Sequence, residues 1–366
     1  MNDTATIEHE EFQSRFERIL PGLPEGIVQD YAFFKVSSDK APWFDTGIDL
    51  RTGDQVTSFA VGGTELKGTP IRFGPYFQLW FRVGVDGEIF RGTRDTHSFK
   101  AERSGRLYFA SYFPGEWSTK TGDLGTPTDV YELAEGGLSV LLIRWRTDPL
   151  KGLKSLAALG AVGDLITTEI DRLTSPVILP KGWSYLWFVG PAEIYRACQA
   201  PQREHAICCH TRSDVGLLQK PVSLPLKPNT RLCWSWKMDL LPSTAREDTL
   251  PTHDYMSIAV EFDNGQDITY YWSAALPVGT AYRCPIPTWK ARETHVVIRS
   301  GSEGLGEWFD EERDIYRDYV ATIGGSMPAN IVQVWLIAVS FFQRTEGKCQ
   351  YSDIAFVNDE QAMRVY

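Results

Sequence analysis

The stretch Arg231-Leu232-Cys233-Trp234-Ser235-Trp236-Lys237-Met238 decides the fold. Successive side chains of an extended strand point to opposite faces, so Trp234 and Trp236 share one face and Cys233, Ser235 and Lys237 the other. In Thr269-Tyr270-Tyr271-Trp272-Ser273 the same alternation pairs Tyr270 with Trp272, opposite Thr269, Tyr271 and Ser273. In Ile258-Ala259-Val260-Glu261-Phe262-Asp263, Glu261 faces with Ala259 and Asp263. One sheet face is therefore expected to be fully apolar. The other carries Lys237, Glu261 and Tyr271, either lining a cleft or as a Lys–Glu pair on a solvated face.

Working outward, further strands are expected at 185–189, 207–211, 256–262, 294–299, 332–341 and 354–357, with one helix over Glu311–Ile323. They make a sandwich or jelly roll over 181–366. Upstream, strands at 55–61, 77–83, 106–112 and 138–145 lie between turn pairs such as Gly62-Gly63, Asp86-Gly87 and Gly136-Gly137. They predict a first antiparallel sandwich over 31–150. Leu156, Leu159, Leu165, Ile166, Ile170 and Leu173 form a helical stripe, which makes 151–180 a helical linker. Phe12, Phe16, Ile19 and Leu20 make the amino-terminal 1–30 a short helical arm, able to dock on a neighbouring domain or mediate a homodimer. The expected class is all-β, with two antiparallel β-sandwich or jelly-roll domains.

The chain has 366 residues, with 37 Lys and Arg against 47 Asp and Glu, a net charge of −10. An acidic chain without a basic cluster lacks the footprint for phosphate backbones, which excludes nucleic acid as an expected partner. No basic-then-apolar start and no run of about 18 apolar residues is present, so no membrane partner and a cytoplasmic location are expected. For such a chain the six cysteines read as free thiols.

No phosphate-binding loop, nucleophile elbow or complete metal-ligand set is present, so no cofactor and no metal are expected. The nearest metal pattern is Cys208-Cys209-His210, half a site that His253 and Asp254 would have to complete. Thr249-Leu250-Pro251-Thr252-His253-Asp254-Tyr255 is the polar loop of most interest, because an adjacent His and Asp can serve as acid and base. Asp254 capping a turn beside a surface His253 is the structural alternative. In the first domain Arg94, Tyr112 and Trp117 sit on loop material suited to stacking on sugar rings or to sealing an interface.

Two resemblances follow from these residues. Cys233-Trp234-Ser235-Trp236-Lys237, Tyr270-Tyr271-Trp272-Ser273, Val297-Ile298-Arg299-Ser300-Gly301, Trp308 with Arg313-Asp314-Ile315-Tyr316, and Tyr351-Ser352-Asp353-Ile354 resemble the domain of unknown function 3047 family, a β-sandwich group. That family carries an acidic stretch before its last strand, where this chain reads Val339-Ser340-Phe341-Phe342-Gln343-Arg344. Phe44-Asp45-Thr46-Gly47-Ile48, Gly53-Asp54-Gln55-Val56-Thr57, Gly74-Pro75 and Gly105-Arg106-Leu107-Tyr108 resemble the small calcium-dependent galactose lectins. Those lectins place a calcium-binding Asp shortly before a Pro-Gly turn. Here Tyr112 stands at that position, before Pro114-Gly115, so the resemblance implies the fold without the calcium site.

Two functions are expected. In the first, the chain is a cofactor-independent enzyme of natural-product metabolism. It guides cyclisation or a hetero-Diels–Alder type cycloaddition of an apolar substrate, as the resemblance to two-sandwich relatives implies. His253, Asp254, Lys237 and Tyr271 form its catalytic set, and Trp236, Trp272, Glu261, Tyr112, Trp117, Arg94 and Gln343 its substrate-binding set. In the alternative, the chain binds carbohydrate without catalysis. A purely structural two-domain scaffold is a third reading.

Overall fold

The computed structural model describes residues 2–40, 42–68, 72–113, 117–160, 164–201 and 203–366. The chain divides into two compact units, 1–176 with 187–191, and 177–186 with 192–366.

In the first unit, one sheet runs in the order Val28–Ser37, Ala134–Trp145, Gln55–Leu66 and Arg72–Phe73, with Thr96–Lys100 also on Gln55–Leu66. The second runs Trp43–Leu50, Gly105–Ser111, Leu79–Val83 and Phe90–Arg91. Val140 and Leu142 point between the sheets, while Leu141, Ile143 and Trp145 point the other way. That second face is covered by Phe12, Phe16 and Leu20 of the amino-terminal helix, Asn2–Ile19, and its 3₁₀ extension. Leu153, Leu156 and Ile166 from the helices Pro149–Ala157 and Leu165–Thr174 complete the cover. A strand buried on both faces reads as an unbroken apolar run, which is why 138–145 does. The helical stripe offered to a second copy is thus used within the chain.

Two turn expectations are corrected. Gly62-Gly63 and Gly136-Gly137 lie inside paired strands, with Gly63 opposite Gly137. A Cβ on Gly62 would stand 2.3 Å from the Gly137 carbonyl oxygen, so glycine permits a close backbone approach there.

The second unit holds a seven-stranded sheet in the order Ser184–Tyr185, Val215–Pro225, Asn330–Val339, Tyr255–Phe262, Asp267–Ser273, Glu293–Ser300 and Ala281–Arg283. Its partner sheet runs Tyr195–Ala200, Arg203–Arg212, Glu346–Val357, Arg231–Leu240 and Trp308–Asp314, with Ala362–Arg364 on Glu346–Val357. Trp234, Trp236, Tyr270, Trp272 and Tyr351 fill the core between them, as the alternation predicts. The strand expected at 185–189 is only Ser184–Tyr185. The helix expected over Glu311–Ile323 starts at Ile315, where Asp314 accepts from the Arg317 amide as its cap. Residues before it form an edge strand, with Trp236 opposite Phe309 and Lys237 opposite Trp308.

Among the described residues one strand pairing departs from an antiparallel fold: Asp267–Ser273 and Glu293–Ser300 run parallel. Parallel neighbours need a crossover rather than a tight turn. Residues 274–292 provide it.

The cysteine expectation is also corrected. Cys198 and Cys208 form a disulfide across adjacent antiparallel strands, with Cα atoms 5.9 Å apart. Cys209, Cys233, Cys284 and Cys349 are free thiols. No helix among the described residues is long and apolar enough to cross a membrane.

Glu169 ties the helix Leu165–Thr174 to the Thr96–Lys100 strand. Its buried carboxylate accepts from the Thr96 hydroxyl at 2.8 Å, the Ser98 amide at 2.6 Å and Arg172 Nη2 at 2.6 Å. Burial pushes the Glu169 carboxyl up, but Arg172 and these donors outweigh it and hold the group below its usual range. A depressed carboxyl contributes stability above the unfolded value, about pH 4.3, and loses it as pH falls through the lower folded value. Glu169→Gln should therefore cost about 3 kcal/mol at pH 7, and a smaller penalty should remain below about pH 4. Urea denaturation at the two pH values, read by tryptophan fluorescence, checks both.

Candidate functional site

The crossover 274–292 and the loop before Tyr255 bring together a buried polar cluster on the side of the seven-stranded sheet away from the tryptophan core. Its centre is His295, fully buried. The His253 and Tyr255 rings lie 4.8 Å from it, Tyr271 lies 5.7 Å away, and Tyr282 stacks on it at 5.1 Å. The Tyr271 and Tyr282 hydroxyls are 3.0 Å apart. His253 Nδ1 lies 2.6 Å from the Glu247 backbone carbonyl, which can only accept, so Nδ1 carries the proton and Nε2 is the unprotonated, accepting nitrogen. That nitrogen faces Cys284 Sγ at 3.4 Å.

Glu293 Oε1 accepts from the Tyr255 hydroxyl at 3.0 Å and the Thr269 hydroxyl at 3.2 Å, and lies 3.3 Å from His295 Nε2. Burial, reinforced by His295, lowers the His253 imidazole to about 3. Burial also pushes up the Cys284 thiol and the Tyr255, Tyr271 and Tyr282 hydroxyls. For Glu293, burial pushes the carboxyl up, but His295 beside it wins and brings it down to about 2.

Of the catalytic set read from the sequence, His253 and Tyr271 meet here around His295. Asp254 does not join them: its buried carboxylate accepts from the Phe342 and Gln343 amides at 2.9 and 2.7 Å. Burial raises the Asp254 carboxyl to about 6, and its bonds to the Phe342 and Gln343 amides fasten the loop before Tyr255. His253 is fully buried rather than a surface residue. Gln343 is held in the same anchor, donating to Ser243 Oγ at 2.7 Å.

Lys237 and Glu261 do not share a face, because their strands belong to different sheets. Lys237 pairs with Asp239 at 3.1 Å, and Glu261 with Arg292 at 2.9 Å. Trp236 and Trp272 are core residues whose indole N–H groups donate to Glu311 and to the Gly301 carbonyl, so they present no face to a ligand. In the first unit Tyr112 and Trp117 pack in a buried aromatic cluster, and Arg94 donates to the Thr168 carbonyl at 2.7 Å. The Tyr112 hydroxyl accepts from the Gly125 and Thr126 amides at 3.1 Å, so it organises that loop by hydrogen bonds. Pro114-Gly115 of the lectin-like turn lies outside the described residues. The Cys208-Cys209-His210 pattern is dispersed: Cys208 is in the disulfide, Cys209 is in the core, and His210 pairs with Glu346 at 2.7 Å.

Sequence reasoning missed Cys284, Glu293 and His295. Glu293 and His295 are two apart on one strand, hence on one face, and that was the available signal.

A second polar surface covers the outer side of the six-stranded sheet. Gln350, Lys237 and Trp308 stand opposite one another on three adjacent strands. Arg203 reaches across to place its guanidinium 5.4 Å from the Trp308 ring centre and 2.8 Å from Asp310 Oδ1, with Asp353 at 3.3 Å. Arg203 Nε and Gln350 Oε1 have no hydrogen-bond partner.

Residues 181–355 match the family described as a protein of unknown function, DUF3047. Among curated proteins, none matches the chain. Part of the chain is similar to the EclA N-terminal domain, a PllA-like lectin, with 18% identity over 33% of this chain and 99% of that one, and a TM-score of 0.25. The xyloglucanase domain of NopAA from Sinorhizobium fredii is similar at 10% identity over 49% and 94%, with a TM-score of 0.30. The tandem CBM22 domains of Paenibacillus barcinonensis Xyn10C are similar at 11% identity over 92% of both chains, with a TM-score of 0.26. Both polar surfaces, the cluster around His295 and the face around Trp308, fall within the segment that matches the DUF3047 family.

Proposed function

We propose that the chain binds a carbohydrate, without catalysis, on the outer face of its six-stranded sheet. One observation carries this reading: partly exposed Trp308 stands beside the Arg203 guanidinium, 5.4 Å from its ring centre, which Asp310 and Asp353 hold in place. A sugar offers an apolar C–H face and pairs of adjacent hydroxyls. An indole matches the first. Guanidinium, carboxylate and amide groups, with two donors or acceptors at fixed spacing, match the second. Tyr112 and Trp117 are buried in the first unit's aromatic cluster, and Arg94 donates to the Thr168 carbonyl. Because the proposed contacts are an indole face and planar side-chain groups, binding is expected to be calcium-independent.

Affinity electrophoresis against a panel of neutral polysaccharides tests this. Retardation is expected on at least one of them, unchanged by a chelator. Trp308→Ala should weaken it tenfold or more, about 1.4 kcal/mol, without changing the circular dichroism spectrum. Equal mobility of variant and wild type on every retarding polysaccharide, or no retardation at all, contradicts the reading.

A second reading is favoured by the meeting of His253 and Tyr271. A neutral imidazole and tyrosine hydroxyls offer hydrogen bonds without charge. That suits cofactor-independent cyclisation or cycloaddition of an apolar natural-product substrate, where holding the reacting ends in register supplies most of the help. Native mass spectrometry of freshly purified protein separates the two readings. An apolar organic adduct supports the enzyme, whereas added oligosaccharide forming the sole adduct supports the binding protein.

A further inference from the structure

The donor atoms around His295 satisfy conditions that hydrogen bonding alone leaves unmet. His295 is fully buried, yet neither ring nitrogen has a hydrogen-bond partner. Its Nε2 lies 3.3 Å from the Glu293 carboxylate without hydrogen-bonding geometry. Leaving such groups unpaired in the interior is costly. One donor from each of His253, Cys284 and His295 lies within 4.8 Å of the others, and all three residues are buried.

We propose that His253, Cys284, His295 and Glu293 bind a zinc-class divalent cation. Zn–N bonds near 2.1 Å and Zn–S bonds near 2.3 Å place the ligand atoms of a tetrahedral site about 3.3–3.6 Å apart. The separations of Cys284 Sγ from His253 Nε2, 3.4 Å, and of His295 Nε2 from Glu293 Oε1, 3.3 Å, are those of two pairs of co-ligands. The three donors of His253, Cys284 and His295 lie within 4.8 Å of one another, so binding requires them to draw together by about 1 Å. Two imidazoles, a thiolate and a carboxylate form a mixed nitrogen, sulfur and oxygen set that suits zinc over calcium or magnesium.

The outer groups are arranged as metal sites arrange them. The Glu247 carbonyl holds His253 Nδ1–H and so aims Nε2 inward, while the Tyr255 and Thr269 hydroxyls orient the Glu293 carboxylate. All four ligands are buried, so the site is closed and its role is to fasten the crossover and the 250–254 loop to the sheet. The inference is independent of the carbohydrate reading. It opposes His253 as an acid or base in the enzyme reading, because the ion takes the lone pair.

The test is the metal content of the full chain, expressed in zinc-supplemented medium and purified in metal-free buffer. About one zinc per chain is expected, falling at least tenfold in Cys284→Ser and staying unchanged in Cys233→Ser, which removes a more accessible thiol. Should Cys284→Ser not fold, cobalt substitution of the wild type decides: tetrahedral cobalt with a thiolate ligand gives visible bands and a near-ultraviolet charge-transfer band. Wild type with less than about a tenth of an ion per chain and no cobalt bands overturns the proposal, as does full zinc content in a folded Cys284→Ser.

Discussion

The parallel pairing of Asp267–Ser273 with Glu293–Ser300 is the constraint on which the second unit depends. Had these strands been antiparallel neighbours, a two-residue turn could have joined them and the outer face beneath would have stayed open. A parallel pair requires the chain to return to its starting end, and the returning segment carries Tyr282 and Cys284 onto that face. Thr269, Tyr271, Glu293 and His295, which alternation sends away from the tryptophan core, are thereby buried as thoroughly as the core itself.

Burial then sets the chemistry. Removed from water, an imidazole resists protonation, a thiol and a phenol resist ionisation, and every donor must find an acceptor inside the cluster. Most do: Tyr255 and Thr269 donate to Glu293, and His253 donates to the Glu247 carbonyl. His295 does not. The imbalance lies within the group of three buried donors, His253, Cys284 and His295, with Glu293 beside it, and the proposed cation would satisfy it. On the opposite sheet the polar groups around Trp308 lie on the outer face, beside a partly exposed indole. One unit thus presents an inward site suited to an ion and an outward face suited to a polar, ring-shaped molecule.

Much of the architecture is legible in local pattern. Alternation places Trp234, Trp236, Tyr270 and Trp272 in one core, and the unbroken run Leu138–Trp145 marks a strand covered on both faces. The failures arise where non-local pairing overrides a local signal. Glycine pairs that resemble turns instead allow two strands to approach closely. Glu311–Asp314 resembles the start of a helix but pairs with Arg231–Leu240. Lys237 and Glu261 look like neighbours only while their strands are assumed to share a sheet. Half of the candidate site is visible beforehand, as the His253 loop and Tyr271. Cys284 was not, since nothing in its neighbourhood announces that residues 253, 284 and 295 meet.

The most direct test of this account is the accessibility of Cys284 in the native protein, mapped by maleimide labelling and peptide mass spectrometry. If the crossover closes over the sheet as described, Cys233 is labelled while Cys284 stays unmodified until the chain is unfolded. Labelling of Cys284 at the rate of Cys233 under native conditions would contradict both the buried cluster and the crossover that builds it.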